Sequence, residues 1–330
     1  MRTDRRRMRG LLLAVFVPVL IVIGVLASAV LGQTGAAGDA PTPLPSPVTP
    51  SPSPSPPPPP PPPPAPPAPP TLPEPEVEPV PEPGAEPEFA PGTRFVPDGA
   101  ERTDVGAGAQ AAAIFRPAGS AGAPGPVVIF LHGWVAIDPA RYGRWIGHLV
   151  DQGATVIFPA YQTKPAYDTT TPLGNVLAGV RAALARVALE PGRLVIAGHS
   201  VGGALAADYA AVAADHGLPA PAAVFSVYPG RKLRHLKVPI PAVDLMQIAP
   251  GTRVIAVAGE RDTSVGSGTA RRIARGAARA DARLVIVRDD AVDLHRAPRT
   301  FSGAAQRTFW APLDALIADT PAARRNVAVP

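Results

Sequence analysis

Cysteine is absent from the 330 residues of this chain. Without a thiol the protein can form no disulfide, no metal–thiolate site and no lipid anchor at a lipobox cysteine, and it has no thiol nucleophile. The sequence also lacks a cluster of metal-ligating residues, a glycine-rich phosphate loop and basic residues interleaved with aromatic ones. We therefore expect neither a bound metal nor a nucleic-acid partner.

Charge of either sign is missing from residues 11–31. About 20 apolar residues are enough to cross a bilayer as a helix. Five arginines precede this run in residues 1–10, and such a basic head stays on the cytoplasmic side of a membrane. We interpret residues 11–32 as a transmembrane anchor, and a signal sequence cleaved near the small residues 27–29 is the alternative. The rest of the chain is then extracytoplasmic, either anchored to the membrane or secreted.

Regular secondary structure is excluded from the next segment by its proline content. Residues 33–94 hold a large share of the 47 prolines, including an unbroken run from 56 to 64. Proline lacks an N–H and fixes φ, so such a segment extends as polyproline II. The proline-rich stretch 41–97, about 57 residues at ~3.1 Å each, would reach well over ~100 Å. We predict a disordered, semi-rigid stalk that holds a folded domain away from a membrane or through a cell wall.

The folded part is predicted over residues 95–330, where strand and helix patterns alternate. Continuous apolar runs are typical of strands that helices cover on both faces. The alternation predicts a doubly wound, mostly parallel sheet whose functional residues follow the carboxyl ends of the strands. The predicted strands are 111–116, which we place at an edge, 126–131, 154–159, 193–197, 222–228, 253–258 and 283–287. The predicted helices are 139–151, 173–189, one beginning near Val201, 268–279 and 304–318.

One strand–helix junction carries the motif Gly198-His199-Ser200-Val201-Gly202. Gly-x-Ser-x-Gly between an apolar strand and an alanine-rich helix is the pattern of a nucleophile elbow, a sharp turn that raises one hydroxyl above the sheet edge. Both glycines are required because the turn leaves no room for a Cβ on either side of the serine. The motif predicts Ser200 as a nucleophile.

A serine nucleophile needs a base, usually a histidine that a third group orients. In this arrangement the acid and then the histidine follow the serine along the chain, each on a loop after a strand. Asp262 lies just after the predicted strand 253–258, and Glu260 is the reserve candidate. His295 follows the last predicted strand and is the only histidine after Asp262. We predict a catalytic triad of Ser200, Asp262 and His295.

An anion site for a tetrahedral intermediate requires two N–H donors. One is predicted at Val201, directly after the nucleophile, and the second at Trp134, in the loop after the strand that ends at Leu131. We interpret His132 in the same loop as a structural residue bonded to backbone. His199, inside the elbow, is expected to pack against neighbouring strands.

Taken together, these motifs resemble the α/β-hydrolase superfamily over residues 127–298. The segments that carry the resemblance are 130–134, 198–203, 259–262 and 294–295. The chain is most similar to compact serine esterases of the dienelactone hydrolase, platelet-activating-factor acetylhydrolase and polyester hydrolase kind, although the first of these uses a cysteine that this chain lacks. The resemblance implies hydrolysis of a carboxylic ester through an acyl-serine intermediate, without a cofactor.

The segment 229–251 is too short for the large helical lid that many lipases insert at this place. We therefore expect little or no lid and an open pocket lined by Trp134, Tyr161 and Val201, with Tyr228 or Pro229. Such a pocket suits a bulky, lipidic or polymeric ester.

Two alternatives to a hydrolase stay open at this point. An envelope acyltransferase would use the same triad, and a non-catalytic surface module would keep only the fold. The sequence gives no indication of the oligomeric state.

Overall fold

A computed structural model describes residues 94–120, 124–163, 168–232 and 239–320. The predicted arginine head, the anchor or signal at 11–32 and all but the last residue of the proline-rich segment 33–94 lie outside these residues. Within the described part of the chain, no helix combines the length and the apolar character that crossing a bilayer requires.

The centre of the domain is one sheet of eight strands in the order β1-β2-β4-β3-β5-β6-β7-β8. β2 pairs antiparallel with β1 and with β4, and all other neighbouring strands are parallel. The doubly wound, mostly parallel sheet is thus confirmed. The strands are β1 Ala100–Val105, β2 Ala112–Pro117, β3 Gly125–Leu131, β4 Thr155–Pro159, β5 Leu189–His199, β6 Ala223–Val227, β7 Arg253–Gly259 and β8 Asp281–Val287.

Helices cover both faces of the sheet, and each face has its own apolar core. Helices α2, α3 and α4 pack on one face, whereas α1 and the C-terminal helical segment pack on the other. The helices are α1 Gly143–Asp151, α2 Pro172–Leu184, α3 Val201–Val212 and α4 Gly268–Gly276, followed by α5 Gly303–Ala305, a π-helical turn Gln306–Trp310 and α6 Ala311–Ala318. Since β3 to β8 are parallel, the loops after them meet along one edge of the sheet.

Two features of the sheet differ from the sequence prediction. Strand β1 was not predicted because its residues are mostly polar and lack an alternating apolar pattern. It covers β2, so the strand predicted at the edge is an interior one. The helix predicted over 173–189 ends at Leu184, since Leu189 pairs with Gly125 and starts β5. Pairing with β3 overrides the local helix propensity there.

The segment predicted to be too short for a large lid contains, in its described parts 229–232 and 239–251, a single short 3₁₀ turn at Leu245–Gln247. Arg231 ties the segment to the domain through a bidentate ion pair with Asp208 of α3. It also donates to the carbonyl of Pro241 over 2.7 Å. Burial raises the pKa of Asp208, and the guanidinium of Arg231 opposes this shift.

Candidate active site

The turn between β5 and α3 forms a strained elbow at Ser200. This residue has φ 58° and ψ −122°, a conformation that non-glycine residues rarely adopt. A Cβ on Gly198 would overlap with the backbone of Gly202, and a Cβ on Gly202 would overlap with the carbonyl group of Leu131. The prediction that both positions require glycine is confirmed, and the tight packing holds the serine in its unfavourable backbone conformation.

Three side chains from the ends of β5, β7 and β8 form one hydrogen-bonded line. His295 Nε2 lies 3.0 Å from Ser200 Oγ, and His295 Nδ1 lies 2.7 Å from Asp262 Oδ2. The other oxygen of Asp262 accepts the N–H of Ser264 over 2.9 Å. With Nδ1–H donated to Asp262, the lone pair of Nε2 faces the serine hydroxyl. The structure therefore brings together the three residues predicted as a triad, in the geometry of a nucleophile, its base and an orienting acid.

Glu260, the reserve acid, points elsewhere. Its carboxylate pairs with Arg288 at 3.0 Å on the exposed surface. Asp262 is held with its side chain 1 % exposed, and among the described residues only its carboxylate bonds to the imidazole of His295.

The loop after β3 lies against the serine, since a Cβ on Gly133 would come 3.4 Å from Ser200 Cβ. Three of the N–H groups in this loop are engaged. Gly133 donates to Tyr142 Oη over 2.9 Å, Val135 donates to Gln162 Oε1 over 2.9 Å, and Ala136 donates to the Gly133 carbonyl over 3.0 Å.

Trp134 is the exception in this loop, because its backbone N–H has no partner among the described residues. In a trans peptide the N–H points away from the preceding carbonyl, which here accepts the bond from Ala136. The direction of the Trp134 N–H is therefore fixed. The N–H of Val201, in the first turn of α3, also lacks a partner in the described part of the chain. These are the two N–H groups predicted to bind an oxyanion.

The ring of His132 connects this loop to the backbone that follows β4. Its Nδ1 lies 2.6 Å from the Gly133 carbonyl and its Nε2 lies 2.7 Å from the Ala160 carbonyl. Burial lowers the pKa of His132 to about 4, so the ring is neutral at pH 7 and donates from one nitrogen. The interpretation of His132 as a structural residue bonded to backbone is confirmed.

The predicted pocket lining needs correction. Tyr161 and Tyr228 are fully buried, and their hydroxyls donate to the carbonyls of His132 and Val292. Both residues have positive φ, 38° and 47°, and their side chains join the cores. Val201 and Pro229 are buried as well. The side chains of Tyr161 and Tyr228 therefore do not line an open pocket, and Trp134 retains 7 % exposure.

Sequence reasoning missed three residues that shape the site. Gln162 holds the N–H of Val135, whose φ of 56° is unusual for a β-branched residue. Its position just beyond the carboxyl end of β4 was the available signal. Tyr142 and Arg261 gave no such signal, because their side-chain partners His199 and Asp293 lie 57 and 32 residues away along the chain.

Arg261 holds the loop that carries His295. Its guanidinium contacts both oxygens of Asp293 at 2.7 and 3.0 Å, and it donates to the carbonyl of Asp290. The hydrogen bond from Arg261 lowers the pKa of the Asp293 carboxyl. This ion pair fixes the residues immediately before the histidine.

We expect Arg261→Gln to have a lower Tm than the wild type at pH 7. This difference in Tm should disappear at acidic pH. Because the pKa of Asp293 is depressed in the folded state, its stabilisation is complete above the unfolded value of about 3.9. It disappears as the pH falls through the lower folded pKa. Thermal unfolding from pH 7 to about pH 2 should show the wild-type and variant Tm values converging below about pH 4. Arg288→Gln, which breaks an exposed pair with Glu260, is the matched control and should change Tm little throughout. A constant difference at all pH values for Arg261→Gln would contradict the assignment.

No group of three or more His, Cys, Asp or Glu side chains in the described residues is arranged to hold a metal ion.

Comparison with known proteins agrees with this architecture. A family model for the alpha/beta hydrolase fold matches residues 128–249. A solved structure titled as a proposed dienelactone hydrolase from Klebsiella pneumoniae is 20 % identical, with a TM-score of 0.51, covering 67 % of this chain and 98 % of that one. An esterase from Rhizomucor miehei is 18 % identical, with a TM-score of 0.53 and coverage of 67 % and 84 %. A homologue of hormone-sensitive lipase from a metagenome library is 19 % identical, with a TM-score of 0.51 and coverage of 68 % and 88 %. No curated protein is significantly similar to the chain.

The strand order, the elbow at Ser200 and the family match define a single class. The described domain has the α/β-hydrolase fold, as its motifs predicted.

Proposed function

We propose that this domain is a serine hydrolase that cleaves carboxylic esters through an acyl-serine intermediate. The observation that carries the proposal is the continuous line from Ser200 Oγ through His295 to Asp262, with bonds of 3.0 and 2.7 Å. Esterases among the structures of similar fold support the same chemistry.

In this mechanism His295 Nε2 removes the proton of Ser200 while Oγ attacks the ester carbonyl. The developing oxyanion is stabilised by the N–H groups of Trp134 and Val201. Asp262 keeps the imidazole in the required tautomer and stabilises the imidazolium. His295 then returns the proton to the leaving alcohol. Water, activated by the same imidazole, hydrolyses the acyl-serine.

The experiment that tests this function combines covalent labelling with product analysis. A fluorophosphonate probe should modify the purified protein at Ser200, as mapped by mass spectrometry of the proteolysed protein. The same protein should release acid and alcohol from p-nitrophenyl butyrate. Adding an alcohol acceptor in water separates hydrolysis from acyl transfer, since a transferase would form the new ester as its main product. Labelling at a serine other than Ser200, or no labelling and no turnover, would overturn the proposal.

We further propose that the domain acts outside the cytoplasm, on an ester that is bulky, lipidic or polymeric. The arginine head and the uncharged run at 11–32 support export and anchoring, and the proline-rich segment 33–94 supports a stalk. The short segment after β6, with a single 3₁₀ turn in its described parts, is consistent with a site without a large lid.

Protease added to intact cells should release the catalytic domain into the medium by cutting within residues 33–94. We expect this because a proline-rich stalk has no packed core to protect it. Immunoblotting of cells and medium before and after the protease measures the release, and a cytoplasmic protein serves as the control for lysis. A domain that is cut only after the cells are lysed contradicts the location, and a domain found in the medium without protease indicates the cleaved signal sequence.

A further inference from the structure

Two buried side chains connect the loop after β3 to the loop that carries His295. Tyr142 ends the 3₁₀ turn Pro139–Tyr142, and His199 ends β5. Gly133 N–H donates to Tyr142 Oη over 2.9 Å, Tyr142 Oη lies 2.9 Å from His199 Nδ1, and His199 Nε2 lies 2.9 Å from the carbonyl of His295. The two loops follow β3 and β8, which are separated in the sheet by β5, β6 and β7.

The donor and the acceptor of each hydrogen bond in this series follow from the chemistry of the groups involved. The carbonyl of His295 can only accept, so His199 Nε2 carries the hydrogen. His199 Nδ1 is then an acceptor, and Tyr142 must donate its O–H to it while accepting the bond from Gly133. Burial lowers the pKa of His199 well below its usual range and raises the pKa of Tyr142 to about 12. Both groups are therefore neutral at pH 7, as this arrangement requires.

Neither side chain belongs to the catalytic line, the hydrogen-bonded series of Ser200, His295 and Asp262. Tyr142 is 2 % exposed and His199 is 4 % exposed, and the polar side-chain atoms of both residues are bonded within the protein. The rings of His199 and His295 lie 4.9 Å apart, so a neutral His199 adds no positive charge beside the imidazolium that forms during attack. His199 was expected only to pack against neighbouring strands, whereas both of its ring nitrogens are engaged.

We propose that Tyr142 and His199 are positioning residues that fix the loop after β3 and the loop that carries His295 relative to each other around Ser200. The bond to Gly133 holds the peptide next to the Trp134 N–H, and the bond to the His295 carbonyl holds the backbone of the base. Reacting groups must be placed within fractions of an ångström, and a displacement of about 1 Å can lower a rate by ~10²-fold. The inference rests on the proposed esterase function.

The test compares the full-length protein with Tyr142→Phe, His199→Leu and the double variant. Tyr142→Phe keeps the ring and removes the hydroxyl, and His199→Leu removes both bonds. We expect each single variant to lower kcat on p-nitrophenyl butyrate about 10- to 100-fold, with KM changed less than about threefold and an equal fall in the fluorophosphonate labelling rate. Because the two residues form one connection, the double variant should be little slower than the slower single variant.

Two further variants separate positioning from stability. Tyr209→Phe is the matched control, since Tyr209 is also buried and its hydroxyl donates to the carbonyl of Pro219, remote from the catalytic line. It should lower Tm without lowering kcat. His199→Gln keeps an N–H that can reach the His295 carbonyl, and it should restore kcat to within a fewfold of wild type. Should His199→Leu fail to fold, His199→Asn, which is too short to reach that carbonyl, makes the same comparison with His199→Gln.

Full activity in folded Tyr142→Phe and His199→Leu would overturn the positioning role while leaving the esterase function intact. The positioning role would also be overturned if the effects on kcat multiply in the double variant. A lower Tm with an unchanged kcat, as expected for Tyr209→Phe, would overturn it as well. Failure of the proposed function itself gives a different result, since the wild-type protein would then neither turn over the ester nor be labelled at Ser200.

Discussion

Ser200→Ala and His295→Ala should each lower kcat on p-nitrophenyl butyrate by about 10⁴- to 10⁶-fold, and the double variant should be little worse than either one. The reason is that the hydroxyl and the imidazole act as one unit across a 3.0 Å hydrogen bond. Without the base the hydroxyl stays protonated, and without the hydroxyl the base has no nucleophile to activate. Steady-state kinetics at protein concentrations set by absorbance measures the effect, and circular dichroism shows whether each variant keeps its fold.

The control for the histidine is His148→Ala. His148 lies in α1 and pairs with Asp314 at 2.8 Å, apart from the catalytic line. This variant should retain kcat within a fewfold of wild type. An inactive His148→Ala together with an active His295→Ala would contradict the assigned triad, as would effects of Ser200→Ala and His295→Ala that multiply in the double variant.

Asp262→Asn should lower kcat by about 10⁴-fold at pH 7 while leaving the backbone unchanged. An amide at this position can donate to His295 Nδ1, which moves the imidazole hydrogen to Nε2 and removes the lone pair that faces the serine. The other acids described near this loop are already engaged, so we do not expect them to substitute for Asp262. Glu260 pairs with Arg288, both Asp290 and Asp293 contact Arg261, and Asp289 accepts the N–H of Ala291.

Glu260→Gln is the matched control for Asp262→Asn. It makes the same chemical change two residues earlier, on an exposed carboxylate with no contact to His295. We expect Glu260→Gln to keep kcat within a fewfold of wild type. If Glu260→Gln inactivates the enzyme and Asp262→Asn does not, the reserve acid of the sequence prediction is the functional one.

The sequence alone determined the sheet type, the elbow and the order of the candidate site residues. Local backbone requirements explain the elbow, because the turn at Ser200 accepts no Cβ at Gly198 or Gly202. The topology explains the order, because the loops after parallel strands meet at one edge of the sheet and leave few places for Asp262 and His295. Each of these inferences depends on short stretches of chain or on a general rule of parallel sheets.

Only the tertiary structure decided how the side chains are used. Tyr161 and Tyr228 follow strand ends, but their positive φ and the surrounding cores direct them inward, so they bond to backbone and line no open pocket. His199 bonds to Tyr142, 57 residues away, and to the carbonyl of His295, 96 residues away. Such partnerships follow from packing between distant segments, and no local pattern in the sequence records them.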